Sequence, residues 1–248
     1  MNSIFITVRT GSTRLPNKAL LMIEGKTTIE HLIDRAKRSK LSDKIVLCTT
    51  TLPEDDVLCR IAVKNDIYYY RGSVEDKLER WNGAAKKHGV EFFVTADGDD
   101  LFCEPELIDL AFEQYNKNKC DFIKADGVVC GSFTYGIKTS ALKKVCKIKD
   151  SENTEMMWVY FTDTGLFKVR ELENVPDEFY RGDIRMTLDY QDDYFFFKEV
   201  INSFDTEDFS LRDIISLIDE KPEIKEINLY LEDEWKKNQL EKTNLSLK

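Results

Sequence analysis

Histidine is nearly absent: His31 and His88 are the two copies in 248 residues. That scarcity argues against Ser-His and Cys-His hydrolases, which need an imidazole base beside the nucleophile. The six cysteines include no Cys-x-x-Cys pair, so with two histidines a zinc ligand set is missing. They are expected to be reduced and mostly buried, a nucleophilic cysteine being the minor alternative. No apolar run approaches the ~20 residues that cross a bilayer, and the N-terminus shows no signal-peptide layout, so a cytoplasmic protein is expected. Positive charge is in deficit: 36 Lys and Arg face 46 Asp and Glu, a net charge of −10. That balance argues against a nucleic-acid partner and against an anionic membrane surface. Neither a Walker loop nor a Gly-x-Gly-x-x-Gly fingerprint is present.

What is present is a regular alternation of strand-like and helix-like segments. Ser3–Val8, Lys44–Thr49, Ile67–Tyr70 and Val90–Thr95 read as strands. Helices are predicted between them: one capped by Thr27 or Thr28 and running to about Ser39, and one opened by Pro53-Glu54-Asp55-Asp56. A third is capped by Ser73 and ended by Gly89, and a fourth starts at Pro105. Such alternation predicts an α/β fold, with a mostly parallel sheet flanked by helices and ligands at the carboxyl ends of its strands. Beyond Phe122 the pattern loosens. Phe122–Ala125, Val128–Cys130, Phe133–Ile137, Phe167–Leu172 and Ile184–Leu188 read as strands, and Ser140–Val145, Thr154–Tyr160, Gln191–Asn202 and Leu211–Asp219 as helices. Pro222–Leu247 is a polar tail with a weak helical pattern. One domain over 1–248 is expected, with a first half to about 125, a second over about 126–205, and a helical tail over 206–248.

Two kinds of strand-end loop carry chemistry. Arg9-Thr10-Gly11-Ser12-Thr13-Arg14-Leu15-Pro16-Asn17-Lys18 follows the first strand. Its small residues let backbone N–H groups approach an anion, and Arg9, Arg14 and Lys18 supply counter-charge, a composition suited to phosphate. A basic surface loop is the plainer reading of the same residues. Asp97-Gly98-Asp99-Asp100 ends the fourth strand, and Arg185-Met186-Thr187-Leu188-Asp189 ends a later one before a helix with acids in its first turn. Clustered carboxylates repel unless a cation lies between them, and Mg²⁺ takes one or two carboxylates plus phosphate oxygens and water. An acidic turn leading into a helix start is the alternative. Three cations facing two strand-end aspartates suit a nucleoside triphosphate.

These motifs, in this order, resemble the cytidylyltransferases that make CMP-activated sugars, the CMP-Kdo and acylneuraminate synthetases and above all the spore-coat-polysaccharide branch. The resemblance runs over about residues 3–205. It includes Glu24-Gly25-Lys26-Thr27-Thr28-Ile29-Glu30-His31, Tyr70-Arg71-Gly72-Ser73-Val74-Glu75-Asp76-Lys77-Leu78-Glu79-Arg80, Gly98-Asp99-Asp100-Leu101-Phe102 and Arg185-Met186-Thr187-Leu188-Asp189. It implies a single Rossmann-like (GT-A-like) nucleotidyltransferase domain, a homodimer, and CMP transfer from CTP with release of pyrophosphate, for surface polysaccharide. By the same resemblance Arg9, Arg14 and Lys18 hold the triphosphate, Lys18 stabilises the transition state, and Thr10, Gly11, Ser12 and Asp97 join the nucleotide site. Arg71 and Ser73 lie near the cytosine or ribose, and Asp99 and Asp189 bind Mg²⁺.

The resemblance implies an acceptor that is a sugar, sugar acid or related phosphorylated or phosphonate compound, with Tyr135, Glu155, Trp158 and Arg185 as candidate contacts. Core or interface roles are the alternative for Tyr135 and Trp158. The sequence departs from the family at Asp100-Leu101, where proline is common, and at Thr154-Glu155-Met156-Met157-Trp158, which lacks a histidine. Those departures fall on the acceptor side. Two other classes fit the residues less fully. One is a glycosyltransferase reading Asp97–Asp99 as Asp-x-Asp, and the other is a non-catalytic nucleotide-binding protein.

Overall fold

The N-terminal run Asn2–Thr7 forms β1, and its neighbours in the sheet explain its uninterrupted apolar character. Ile4 and Ile6 pack on one face and Phe5 on the other, all fully buried, because helices cover both sides. The structure, a computed structural model, describes residues 1–206, 208–243 and 245–248.

After β1 come a small hairpin, β2 (Met22–Ile23) and β3 (Lys26–Thr27), and helix α1 (Thr28–Ala36). β4 (Lys44–Thr50), α2 (Asp56–Lys64), β5 (Tyr68–Gly72), α3 (Lys77–His88) and β6 (Phe92–Asp97) complete the first half. The second half holds α4 (Pro105–Lys117), β7 (Phe122–Lys124), β8 (Tyr135–Lys138), α5 (Thr139–Ile148), α6 (Val159–Thr162) and β9 (Val169–Glu171). Helices α7 (Gln191–Asn202), α8 (Leu211–Glu220), α9 (Glu223–Glu226) and α10 (Glu232–Lys242) follow. Among the described residues one seven-stranded sheet in the order β5-β4-β1-β6-β8-β7-β9 carries both halves. The pairs from β5 to β6 are parallel, β8 runs antiparallel to both neighbours, and β7 pairs β9 in parallel. This is the expected mostly parallel mixed sheet.

The topology decides where a ligand binds. The chain steps from β1 outward to β4 and β5, then returns to lay β6 on the other side of β1. A crevice opens where the strand order reverses, at the carboxyl ends. Thr7 pairs directly with Asp97, so the loops leaving β1 and β6 start side by side.

Local chemistry sets several boundaries. Thr27 caps α1 in a capping box: its Oγ1 accepts from Glu30 N, and the Glu30 carboxylate accepts from Thr27 N at 3.0 Å. Gly89 closes α3 at φ 66°, a left-handed value that suits glycine. The predicted cap at Ser73 is corrected. Ser73 Oγ accepts from Asp76 N at 3.1 Å in a turn, and Asp76 is the cap, accepting from Glu79 N at 3.1 Å.

Val128–Cys130 and Ile184–Leu188, read as strands, meet in a single bridge between Cys130 and Arg185. Their backbone groups are satisfied by site loops instead of a ladder: Met186 N donates to Cys130 O and Leu188 N to Asp99 O, each at 2.9 Å. The strand read at Phe133–Ile137 occupies Tyr135–Lys138, and that read at Phe167–Leu172 shortens to Val169–Glu171. The helix read at Thr154–Tyr160 lies at Val159–Thr162. The polar tail forms α9 and α10 and then bridges back, Leu247 to Lys149. No helix among the described residues is long and apolar enough to cross a membrane.

Candidate active site

The cationic loop is held open by an acid outside it. Asp55, only 1% exposed, accepts from Thr10 N at 2.8 Å and Thr10 Oγ1 at 2.7 Å, and also from Thr50 Oγ1. The loop then turns through Asn17, at φ 55°, and presents Lys18 at the start of a short 3-10 turn. Thr28 Oγ1, at the head of α1, donates to the Lys18 carbonyl and fixes its backbone.

The acidic loop approaches because Gly98 has no side chain. A Cβ there would lie 2.7 Å from Val8 Cβ and 3.0 Å from Thr7 O, and Gly98 N donates to that same carbonyl at 2.8 Å. The third loop is drawn in by the Leu188–Asp99 backbone bond. Its backbone is set by Asp193, whose Oδ2 accepts from Asp189 N at 2.8 Å and Tyr190 N at 2.9 Å.

The three loops meet at one ammonium. Lys18 Nζ lies 2.7 Å from Asp99 Oδ2 and 2.7 Å from Asp189 Oδ1. Arg14 Nη2 adds a contact of 2.9 Å to the same Asp189 oxygen, while Trp235 Nε1 donates to Asp189 Oδ2 at 2.7 Å. Burial opposes the Lys18 charge, but Asp99 and Asp189 outweigh it and raise its pKa above the ordinary lysine value. Burial likewise pushes the Asp189 carboxyl up, and Lys18, Arg14 and the Trp235 N–H together hold it below the usual carboxylate range. Following Asp99 in the chain, the buried Asp100 has neither of these cations as a direct partner; burial first, then Asp99 and Asp97, push its carboxyl well up.

These groups wall a cavity of about 900 Å³. It brings together Arg9, Gly11, Ser12, Arg14, Lys18, Asp97, Asp99 and Asp189 of the expected nucleotide and metal set, with Tyr135, Glu155 and Trp158 of the expected acceptor set. Four expected residues are elsewhere. Thr10 is turned inward to Asp55. Arg71, placed by the resemblance near the base, donates instead to Thr50 O at 2.9 Å, Leu52 O at 2.8 Å and Asp56 at 2.6 Å. Ser73 lies outside the wall, which Val74 and Glu75 form in its place. Arg185, proposed for the acceptor, is buried against Asp193 at 2.9 Å and Glu232 at 3.0 Å, so its guanidinium is already satisfied.

Asp97 pairs with Lys77 at 2.8 Å, while Asp99 and Asp189 share the Lys18 ammonium. Asp55, Asp193 and Trp235 are the residues the sequence reading missed. The two acids look like helix-start residues, and an indole in a Lys- and Glu-rich tail was the one signal for the third.

Among the described residues, no group of three or more His, Cys, Asp and Glu forms a metal cage. The donor set nevertheless fits a hard divalent cation that takes its other ligands from phosphate and water. Asp99 and Asp189 aim oxygens at one point, and the Lys18 ammonium stands at that point as a surrogate cation.

A Rossmann-like sheet whose switch point brings a cationic βα loop against strand-end carboxylates defines a nucleotidyltransferase. More specifically, the chain belongs to the cytidylyltransferase family, whose profile matches residues 4–233, and is an enzyme of that family. It is similar to an uncharacterized protein of Methanocaldococcus jannaschii, 33% identical over 225 residues, covering 90% of this chain and 92% of that one. The spore coat polysaccharide biosynthesis protein SpsF of Bacillus subtilis is 25% identical over 233 residues, covering 90% and 97%. Among solved structures, a cytidylyltransferase from Leptospira borgpetersenii superposes with a TM-score of 0.83 at 29% identity, covering 90% of this chain and 95% of that one.

Proposed function

We propose that this enzyme is a Mg²⁺-dependent cytidylyltransferase that moves CMP from CTP onto a sugar, sugar acid or related phosphorylated acceptor, releasing pyrophosphate for surface-glycan synthesis. The observation that carries the reading is that Lys18 lies 2.7 Å from both Asp99 and Asp189, with Arg14 2.9 Å from the same Asp189 oxygen. Family membership supports CTP as the donor, and the likeness to SpsF supports a glycan destination. A homodimer in the cytoplasm is part of the proposal, and light scattering of the purified protein tests the assembly.

Asp99 and Asp189 would hold the cation, which when bound neutralises charge on the triphosphate. Arg9 lines the cavity and has no hydrogen-bond or ion-pair partner among the described residues, so its guanidinium is available to phosphate oxygens. Lys18 is the mobile charge. When a triphosphate arrives, its ammonium leaves the carboxylates and follows the charge that builds as the acceptor oxygen bonds to the α-phosphorus and the α–β bridging bond breaks. Arg14 stays on Asp189 and keeps that carboxylate aimed. Positioning and neutralisation are the main catalytic terms in such a displacement. The acceptor lies toward Tyr135, Glu155 and Trp158 on the opposite wall.

A pyrophosphate-release screen tests this reading, pairing each of the four nucleoside triphosphates with ulosonic acids, sugar phosphates and phosphonates. CTP with one acceptor class should release pyrophosphate only when Mg²⁺ is supplied. Lys18→Ala should lower kcat by about 10²–10³, the usual loss when one preorganised charge leaves such a site. Release that ignores Asp99→Ala and Lys18→Ala would overturn it, as would free nucleoside diphosphate from a nucleotide-sugar donor.

A further inference from the structure

Asp189 divides its two oxygens between two different neighbours. Oδ1 faces the cavity and takes Lys18 and Arg14, and Oδ2 takes the indole N–H of Trp235 at 2.7 Å. We propose that Trp235 restricts Asp189 to one-oxygen coordination and thereby makes the site select a small six-coordinate cation over calcium. The inference rests on the metal-dependent reading above and adds a positioning residue from the C-terminal helix α10.

The indole is itself held firmly. Arg185, 0% exposed on its side chain, lies 5.1 Å from the Trp235 ring and bonds Glu232, one turn earlier on α10, at 3.0 Å. The same guanidinium bonds Asp193 at 2.9 Å and 3.2 Å, and Asp193 in turn accepts from the backbone N–H of Asp189. Asn228 adds a 2.9 Å bond to Asp193 from the segment just before α10. One buried arginine thus ties down both the backbone of Asp189 and the helix that carries its hydrogen-bond donor. The distance between them cannot drift without breaking a buried ion pair.

The consequence follows from coordination chemistry. Mg²⁺ demands a near-ideal octahedron at 2.0–2.1 Å, keeps several waters and takes carboxylates through single oxygens. Ca²⁺ accepts six to eight oxygens at longer range and readily takes both oxygens of a carboxylate. With Trp235 holding one lone pair of Oδ2, turning both oxygens onto one cation strains that bond, so the two-oxygen mode is disfavoured at Asp189. With the donor removed, a buried oxygen is left without a partner, and turning the carboxylate to give a larger cation both oxygens relieves it.

The test uses the full chain saturated with a non-hydrolysable CTP analogue, whose triphosphate draws the Lys18 ammonium off the two carboxylates, with the analogue alone as the blank. Mn²⁺, a small octahedral cation, is titrated into wild type and Trp235→Phe, with unbound ion counted by its paramagnetic resonance signal. Mg²⁺ and Ca²⁺ then compete for the site. Trp235→Phe should weaken Mn²⁺ and Mg²⁺ by roughly 10–100-fold, the usual loss when a ligand's hydrogen-bond partner goes. It should also shrink the Mg²⁺-over-Ca²⁺ preference by about tenfold or more. If Trp235→Phe fails to fold, benzothienylalanine at 235 keeps the ring shape and loses only the N–H. An unchanged Mg²⁺/Ca²⁺ ratio in a folded variant overturns the inference while leaving the metal reading standing. An Asp189→Ala variant that binds Mn²⁺ as tightly as wild type overturns the metal reading itself, and this inference with it.

Discussion

Asp55 touches no part of the cavity, yet its replacement by alanine is predicted to disable the site. The carboxylate is 1% exposed and accepts from Thr10 N, Thr10 Oγ1 and Thr50 Oγ1, of which Thr10 is 5% and Thr50 0% exposed. The hydroxyls can rotate toward other acceptors, and Thr50 Oγ1 keeps its bond from Leu52 N at 3.2 Å. The Thr10 N–H cannot rotate, and a buried donor without a partner costs about 1–3 kcal/mol. Adding the loss of charge-assisted bonds, at about 1.5–3 kcal/mol for a hydrogen bond to a charged group, Asp55→Ala should lose about 3–5 kcal/mol. Asp55→Asn keeps an oxygen for Thr10 and should lose about 1–2 kcal/mol.

The functional effect follows from position. Thr10 sits between Arg9 and Gly11, so a loop released here moves Arg9, and a displacement of about 1 Å near a reacting centre costs roughly 10²-fold in rate. Burial pushes the Asp55 carboxyl up, but the bonds from Thr50 and Thr10 outweigh it and hold its pKa below the ordinary value. A depressed folded-state pKa contributes stability above the unfolded value of about 3.9 that is lost as pH falls through the folded one. Asp55→Asn should therefore flatten that acid limb. Urea unfolding followed by circular dichroism, beside CTP-dependent pyrophosphate release, measures both effects. A loss under about 0.5 kcal/mol, the range of an ordinary surface change, with unaltered activity would refute the anchoring role.

Other perturbations probe the remaining supports. Gly131 sits at φ 83°, and a Cβ there would lie 1.9 Å from the Met186 carbonyl oxygen, so Gly131→Ala should lower Tm by on the order of 10 °C in a scanning calorimeter. Arg185→Met leaves Asp193, 0% exposed on its side chain, without its cation and should cost about 3–5 kcal/mol in urea unfolding. Glu30 is pushed up by burial yet held at about 2 by Lys64 and Thr27. Its stabilisation is present above about pH 4.3 and fades as pH drops toward that lower value. Glu30→Gln, which still suits a capping box, should melt below wild type at pH 7 and converge with it as pH falls toward that lower value, as pH-dependent thermal melts will show.

Legibility in the sequence follows the range of the interactions. Strands β1, β4 and β6 are readable because both faces are covered, which writes a continuous apolar run into the chain. Arg9 and Asp99 are readable because each lies just past a strand of the sheet, whose topology delivers it to the crevice, whereas Lys18 and Asp189 arrive through the long loop after β1 and the Leu188–Asp99 backbone bond. Val128–Cys130 has the composition of a strand, but its hydrogen bonds go to the Met186 segment, a pairing that no local pattern contains.

The same argument separates cations that face the cavity from those that do not. Arg9 and Arg71 are equivalent as letters; one has no partner among the described residues and the other has three within 2.9 Å. A guanidinium already satisfied by two carbonyls and a carboxylate gains little from a ligand, so Arg71 works as a brace between β5 and the turn before α2. Its acid partner Asp56 follows directly after Asp55 in the chain. Arg71 and Thr10 thus fasten opposite sides of one short turn, and through Asp55 that turn aims the triphosphate loop. The site is built as much by these inward-facing bonds as by the charges that line it.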